Sequence, residues 1–62
     1  MEITLRAARV NAGLTQADVE KQTGFARSTI TSWEHGKTSP KARDLATLCQ
    51  LYGVPVANIK LK

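Results

Sequence analysis

The stretch from Thr15 to His35, TQADVEKQTGFARSTITSWEH, constrains this chain most, because its pattern sets two helices end to end with almost no room between them. Gln16 to Thr23 reads as one helix and Ala26 to His35 as another, so Gly24 and Phe25 must reverse the chain. Glycine reaches φ > 0 without steric cost, which suits Gly24 to so tight a turn. Val19, Phe25, Ile30 and Trp33 are the apolar positions, and the spacing of Ile30 and Trp33 puts both on one face of the later helix. At that spacing Trp33 is a core residue rather than a stacking platform. The opposite face carries Arg27, Ser28, Thr31 and Ser32, and no acid occurs from Gly24 through Trp33. A short helix with a hydrogen-bonding, acid-free outer face, braced at an angle by a preceding helix, is the geometry that reads base edges in the DNA major groove.

The flanks supply the rest of a helical core. Leu5, Ala8 and Ala12 form a narrow apolar stripe on a first helix from about Thr4 to Ala12, which Gly13 stops. Thr15 suits the N-cap of the second helix, with Asp18 in the place of a weak capping box. Gly36 ends the third helix, and HGKTSP is a loop of turn residues. A fourth helix runs from about Lys41 to Leu51, with Ala42, Leu45, Leu48, Cys49 and Tyr52 on its apolar side and Gly53 after it. Val54, Val56 and Ile59 suggest a short fifth helix after Pro55. The expectation is an all-α fold: one domain over residues 1–62, a compact bundle of four to five short helices and no strand.

Net charge is +4, but its distribution says more. Residues 1–35 carry four bases against four acids, whereas residues 36–62 carry five bases against Asp44 alone. The positive excess follows directly after the proposed reading helix, and a polyanion is its simplest partner. A single cysteine, Cys49, permits no internal disulfide and no cysteine-based zinc site, which fits a reducing cytoplasm. On the apolar side of its helix it reads as a small buried hydrophobe. His35 lies at a helix C-terminus, where a cation is favoured, and has no second metal ligand in view. No apolar run has signal-peptide or membrane-span length. With one histidine, no glycine-rich phosphate loop and no paired acids, the chain does not read as an enzyme, and no metal, cofactor or small-molecule ligand is expected.

At these residues the sequence resembles the lambda-repressor-like helix-turn-helix family of Cro and phage-repressor type, also called XRE. The likeness runs from about Leu5 to Ile59. It is carried by L-R-x-A-R at Leu5 to Arg9, G-L-T-Q at Gly13 to Gln16 and G-F-A-R-S-T-I-T-S-W-E-x-G at Gly24 to Gly36. It continues through G-x-x-x-P-x-x-x-x-L from Gly36 to Leu45 and L-x-x-L-C-x-L-Y-G-V from Leu45 to Val54. The resemblance implies that Gln16 meets DNA at the groove edge and that Ala26, Arg27, Ser28 and Ser32 face base edges. It implies phosphate contacts from Thr15, Thr31, Lys37, Thr38 and Arg43, and a largely buried ion pair between Arg9 and Glu34. Three positions depart from the family's pattern. Glu20 stands where a small apolar residue packs beneath the turn, Thr23 where an aliphatic residue is usual, and Ala26 where a serine caps the helix.

The leading functional expectation is a sequence-specific regulator of transcription, a small repressor of phage, prophage or bacterial origin working in the cytoplasm of a bacterial cell. It is expected to bind a palindromic operator in double-stranded DNA as a homodimer, through Val56, Ile59 and Leu61. A chain of this length is expected to hold a DNA-binding domain and nothing else. The competing expectation is a protein-interaction module, such as an antitoxin, whose DNA binding is secondary.

Overall fold

The computed structural model describes residues 2–61. Thr4 caps the first helix, α1 (Leu5–Asn11), its hydroxyl accepting a hydrogen bond from the Ala7 amide at 3.1 Å. Gly13, at φ 76°, then turns the chain into α2 (Gln16–Thr23). Thr15 and Asp18 form a full reciprocal capping box there, with the Asp18 amide donating to the Thr15 hydroxyl and the Thr15 amide to the Asp18 carboxylate. Gly24, at φ 82°, closes α2, and α3 (Arg27–His35) begins three residues later, with Ala26 as an N-cap that makes no side-chain hydrogen bond. Gly36 ends α3, a loop follows, and α4 (Ala42–Tyr52) starts after Lys41, again without a side-chain cap.

The four helices bury Leu5, Ala8, Val19, Ile30, Leu48 and Tyr52 in one cluster. Ile30, Leu48 and Val19 are its largest wholly buried side chains, each contributing about 1.5–3 kcal/mol through burial. Phe25 and Trp33 close the cluster from the turn side, ring centroids 5.1 Å apart and edge to face. Two alanines fall away from the stripes expected of them. Ala12, the C-cap of α1, and Ala42, the first residue of α4, are exposed, because the core is built from the N-terminal half of α1 (Leu5, Ala8) and the C-terminal half of α4 (Leu48, Cys49, Tyr52).

The C-terminal segment differs from a fifth α-helix. Val56–Asn58 makes a single 3-10 turn, and Ile59–Lys60 then extends as a strand. That strand, β2, pairs in parallel with β1 (Ile3–Thr4), Ile3 opposite Ile59 and Thr4 opposite Lys60. The all-α architecture stands, with this two-residue pair tying the chain's ends together. β-Branched Ile3 and Ile59 favour extended backbone, and both pack on the core cluster. Ile59 is therefore half-buried within its own domain, which corrects the expectation of an exposed Ile59 available to a second chain.

Two departures from the family's pattern find local partners. The Thr23 hydroxyl donates to the Val19 carbonyl at 2.7 Å and accepts from the Phe25 amide at 3.2 Å, so it satisfies the turn where an aliphatic residue would only pack. Glu20 reaches outward to Arg27, and its carboxylate is not trapped beneath the turn.

Candidate nucleic-acid interface

Three helices meet in a polar network beneath the outer faces of α2 and α3. Arg9 on α1 grips Glu34 on α3 with the Nε edge of its guanidinium, Nε to Oε2 at 2.7 Å and Nη2 to Oε1 at 3.2 Å. Its remaining Nη1 donates to the Leu14 carbonyl at 2.9 Å. These bonds to Glu34 hold the Arg9 guanidinium even more firmly protonated than usual. Gln16, first residue of α2, donates from Nε2 to the same Glu34 carboxylate at 3.0 Å and accepts from the Thr31 hydroxyl at 3.3 Å. Gln16 thus has both ends of its amide engaged. Its side chain is fixed before any ligand arrives, which lowers the ordering cost of a contact there.

Above this network lies an open groove of about 470 Å³, lined by Arg6, Arg9, Thr15, Gln16, Ala17, Arg27, Thr31, Glu34 and His35. It gathers four of the residues proposed to meet DNA: Thr15, Gln16, Arg27 and Thr31. Thr15 is exposed with its hydroxyl occupied as a capping acceptor, and Thr31 is half-buried with its hydroxyl turned to Gln16. Arg27 and Ser28 form the exposed first turn of α3, Ala26 is exposed beside them, and Ser32 is half-buried one turn on. Lys37, Thr38 and Arg43 are exposed in the loop after α3 and the first turn of α4, outside the groove lining. Arg27 is not free. It pairs with Glu20 at 3.1 Å, side chains 52% and 42% exposed.

The residues from 3 to 61 match a family described as a helix-turn-helix domain. The chain belongs to this family. It is 34% identical over 55 residues to a transcriptional repressor of the cryptic phage CTXphi, RstR of Vibrio cholerae, a match covering 89% of this chain and 50% of that protein. The chain therefore spans about half the length of the curated relative it matches. No solved structure matches it.

In this helix-turn-helix domain the second and third helices are α2 and α3, and the family match takes in all four α-helices and the terminal strand pair. Sequence reasoning left Arg6 unassigned, yet it lines the groove with His35 at the far end of α3. Its signal is helical spacing: Arg6 and Arg9 stand three apart on α1, so the face that delivers Arg9 to Glu34 also delivers Arg6 to the groove. Val56 and Leu61 are exposed at 48% and 39%, on the opposite end of the chain from the capping box. Among the described residues no cluster of histidine, cysteine or acid groups suits a metal ion, and no helix is long and apolar enough to cross a membrane.

Proposed function

We propose that this helix-turn-helix domain is a sequence-specific DNA-binding regulator of transcription, a repressor of the Cro or phage type. The observation that carries this reading is the exposed first turn of α3, Arg27 and Ser28, whose Arg27 lines a groove together with Gln16, a side chain held by Glu34 and Thr31. The name of the Vibrio cholerae relative, a phage transcriptional repressor, supports the same class.

In this reading α3 enters the major groove. Arg27 donates to guanine O6 and N7, a pairing worth about 1–3 kcal/mol of discrimination. Gln16, Ala26, Ser28 and Ser32 complete the reading surface. Thr15, Thr31, Lys37, Thr38 and Arg43 contact phosphates, fixing register and contributing salt-dependent affinity. Two copies bind an inverted repeat, meeting through exposed Val56 and Leu61, with half-sites about one helical turn apart. Repression follows from occupancy, in the cytoplasm, of a site that overlaps a promoter.

Selection of bound sequences from a random duplex pool, with the winner titrated at two salt concentrations, tests the proposal. An enriched inverted repeat is the expected result. Binding with no enriched motif would reduce the domain to a non-specific basic binder, and the absence of binding would end the DNA reading.

A further inference from the structure

Glu20 sits where a helix-turn-helix pattern calls for a small apolar residue, and it carries an acid to the edge of a surface built for a polyanion. Left to itself this carboxylate would repel phosphates and lower affinity. The geometry gives it a use. Oε1 of Glu20 accepts from Arg27 Nε at 3.2 Å and lies 3.1 Å from Nη2 of the same guanidinium. Both donors belong to one edge of the planar guanidinium, and a single carboxylate oxygen holds them.

We propose that Glu20 is a positioning residue for base recognition: by occupying the Nε side of Arg27, it presents the far end of the guanidinium to a guanine. An arginine has five N–H donors in a rigid fork. With the Nε side taken, the outward hydrogens of Nη1 and Nη2 remain as a parallel pair, which matches guanine O6 and N7 end-on. A free arginine on the first turn of a helix samples many rotamers and meets a passing phosphate as readily as a base. The ion pair restricts that choice. It is exposed in the free domain, and its worth there is small. On DNA, water leaves the groove and the attraction between the two side chains strengthens. Glu20 thus exchanges some general affinity for discrimination at one base pair.

This inference rests on the reading of Arg27 as a base contact, and the test separates the two. The same random-pool selection is run with the unchanged chain and with Arg27→Ala, Glu20→Gln and Glu20→Ala, followed by titration of the winning duplex and a scrambled one. Thermal melting of each variant checks that it folds, as expected for side chains this exposed. Arg27→Ala should lose guanine preference at one position of each half-site by roughly 5- to 100-fold. Glu20→Gln should lose about two- to fivefold of that same preference while binding the scrambled duplex more tightly and with a steeper salt dependence. Replacing the guanine by 7-deazaguanine, which lacks the N7 acceptor, should then cost Glu20→Gln less than it costs the unchanged chain. A residue that merely supported the turn would move specific and scrambled binding together. If Arg27→Ala loses the guanine and Glu20→Gln retains it in full, the positioning role is overturned and the base contact stands. If Arg27→Ala keeps the guanine, both fall.

Discussion

Glu34 is more deeply buried than the arginine that neutralises it: its side chain is 3% exposed against 11% for Arg9. The two lie 25 positions apart and bolt α1 to α3 through a two-pronged contact. Because Glu34 also accepts from Gln16, the carboxylate is the point where all three helices around the groove converge. Arg9 is the charged partner of Glu34 in this network, and each has one further hydrogen bond, Glu34 from the Gln16 amide and Arg9 to the Leu14 carbonyl.

Arg9→Ala should accordingly be severe. Stripping the partner from a buried charge costs about 3–5 kcal/mol, a large share of what a domain of this size has, at about 0.05–0.15 kcal/mol per residue. Replacing the pair by packed apolar side chains, Arg9→Met with Glu34→Leu, should recover most of the loss, since neither charge then needs solvation. Urea unfolding of the two variants checks this. A cost under about 1 kcal/mol for Arg9→Ala would mean that Glu34 finds water or another donor once Arg9 is gone.

Tyr52 makes stability fall at alkaline pH. Burial, helped by the nearby Glu34 charge and opposed by Arg9, pushes its hydroxyl up to about 12. In the unfolded chain the phenol ionises near its ordinary value of about 10. The folded state therefore keeps a proton that the unfolded state has lost, so the contribution is complete below about pH 10 and disappears as pH rises toward 12. The loss is on the order of 3 kcal/mol. Tyr52→Phe keeps the ring in the core and removes the ionisation, so the difference between the two proteins' unfolding free energies should narrow or invert across that window. A constant difference would show that the phenol titrates alike in both states.

Cys49 should resist alkylation in the folded protein. It is 3% exposed on the inner side of α4, and burial raises its thiol above the ordinary range. Only the thiolate reacts. Labelling by an aromatic disulfide reagent at pH 8 should follow the rate of global or local opening and accelerate steeply with urea. Fast labelling in native buffer would place α4 among the loosely held parts of the fold.

Local signals made most of this architecture legible. Thr15 with Asp18 marks the start of α2, Gly24 and Gly36 mark ends at left-handed backbone, and Ile30 with Trp33 marks the inner side of α3. Each is a short-range pattern, and each resolves within a helical turn or two. What was not legible depends on residues meeting from afar. Ile3 and Ile59 pair at opposite ends of the chain, and nothing near either predicts the other, so the last segment read as a helix. Gln16 faces Glu34 because of how α2 crosses α3, a relation that no spacing encodes. Glu20 looked misplaced when judged against the packing beneath the turn, because its partner stands across the turn on α3.

Lys37 and Arg43 offer a test of the proposed division between phosphate binding and base reading. Both are exposed, on the loop after α3 and the first turn of α4, away from the groove that holds Gln16 and Arg27. A side chain that neutralises one phosphate releases about 0.9 counterion, so removing it flattens the slope of log affinity against log salt by about that amount. Lys37→Ala should weaken binding to the selected operator and to scrambled duplex by the same factor and lower the slope by about one. On the proposed reading, in which each side chain neutralises one phosphate, Lys37→Ala combined with Arg43→Ala should lower it by about two. Binding titrations at four or more salt concentrations give the slopes directly. An unchanged slope in either variant would remove that side chain from the phosphate contacts, and a loss confined to the operator would move it to the reading surface.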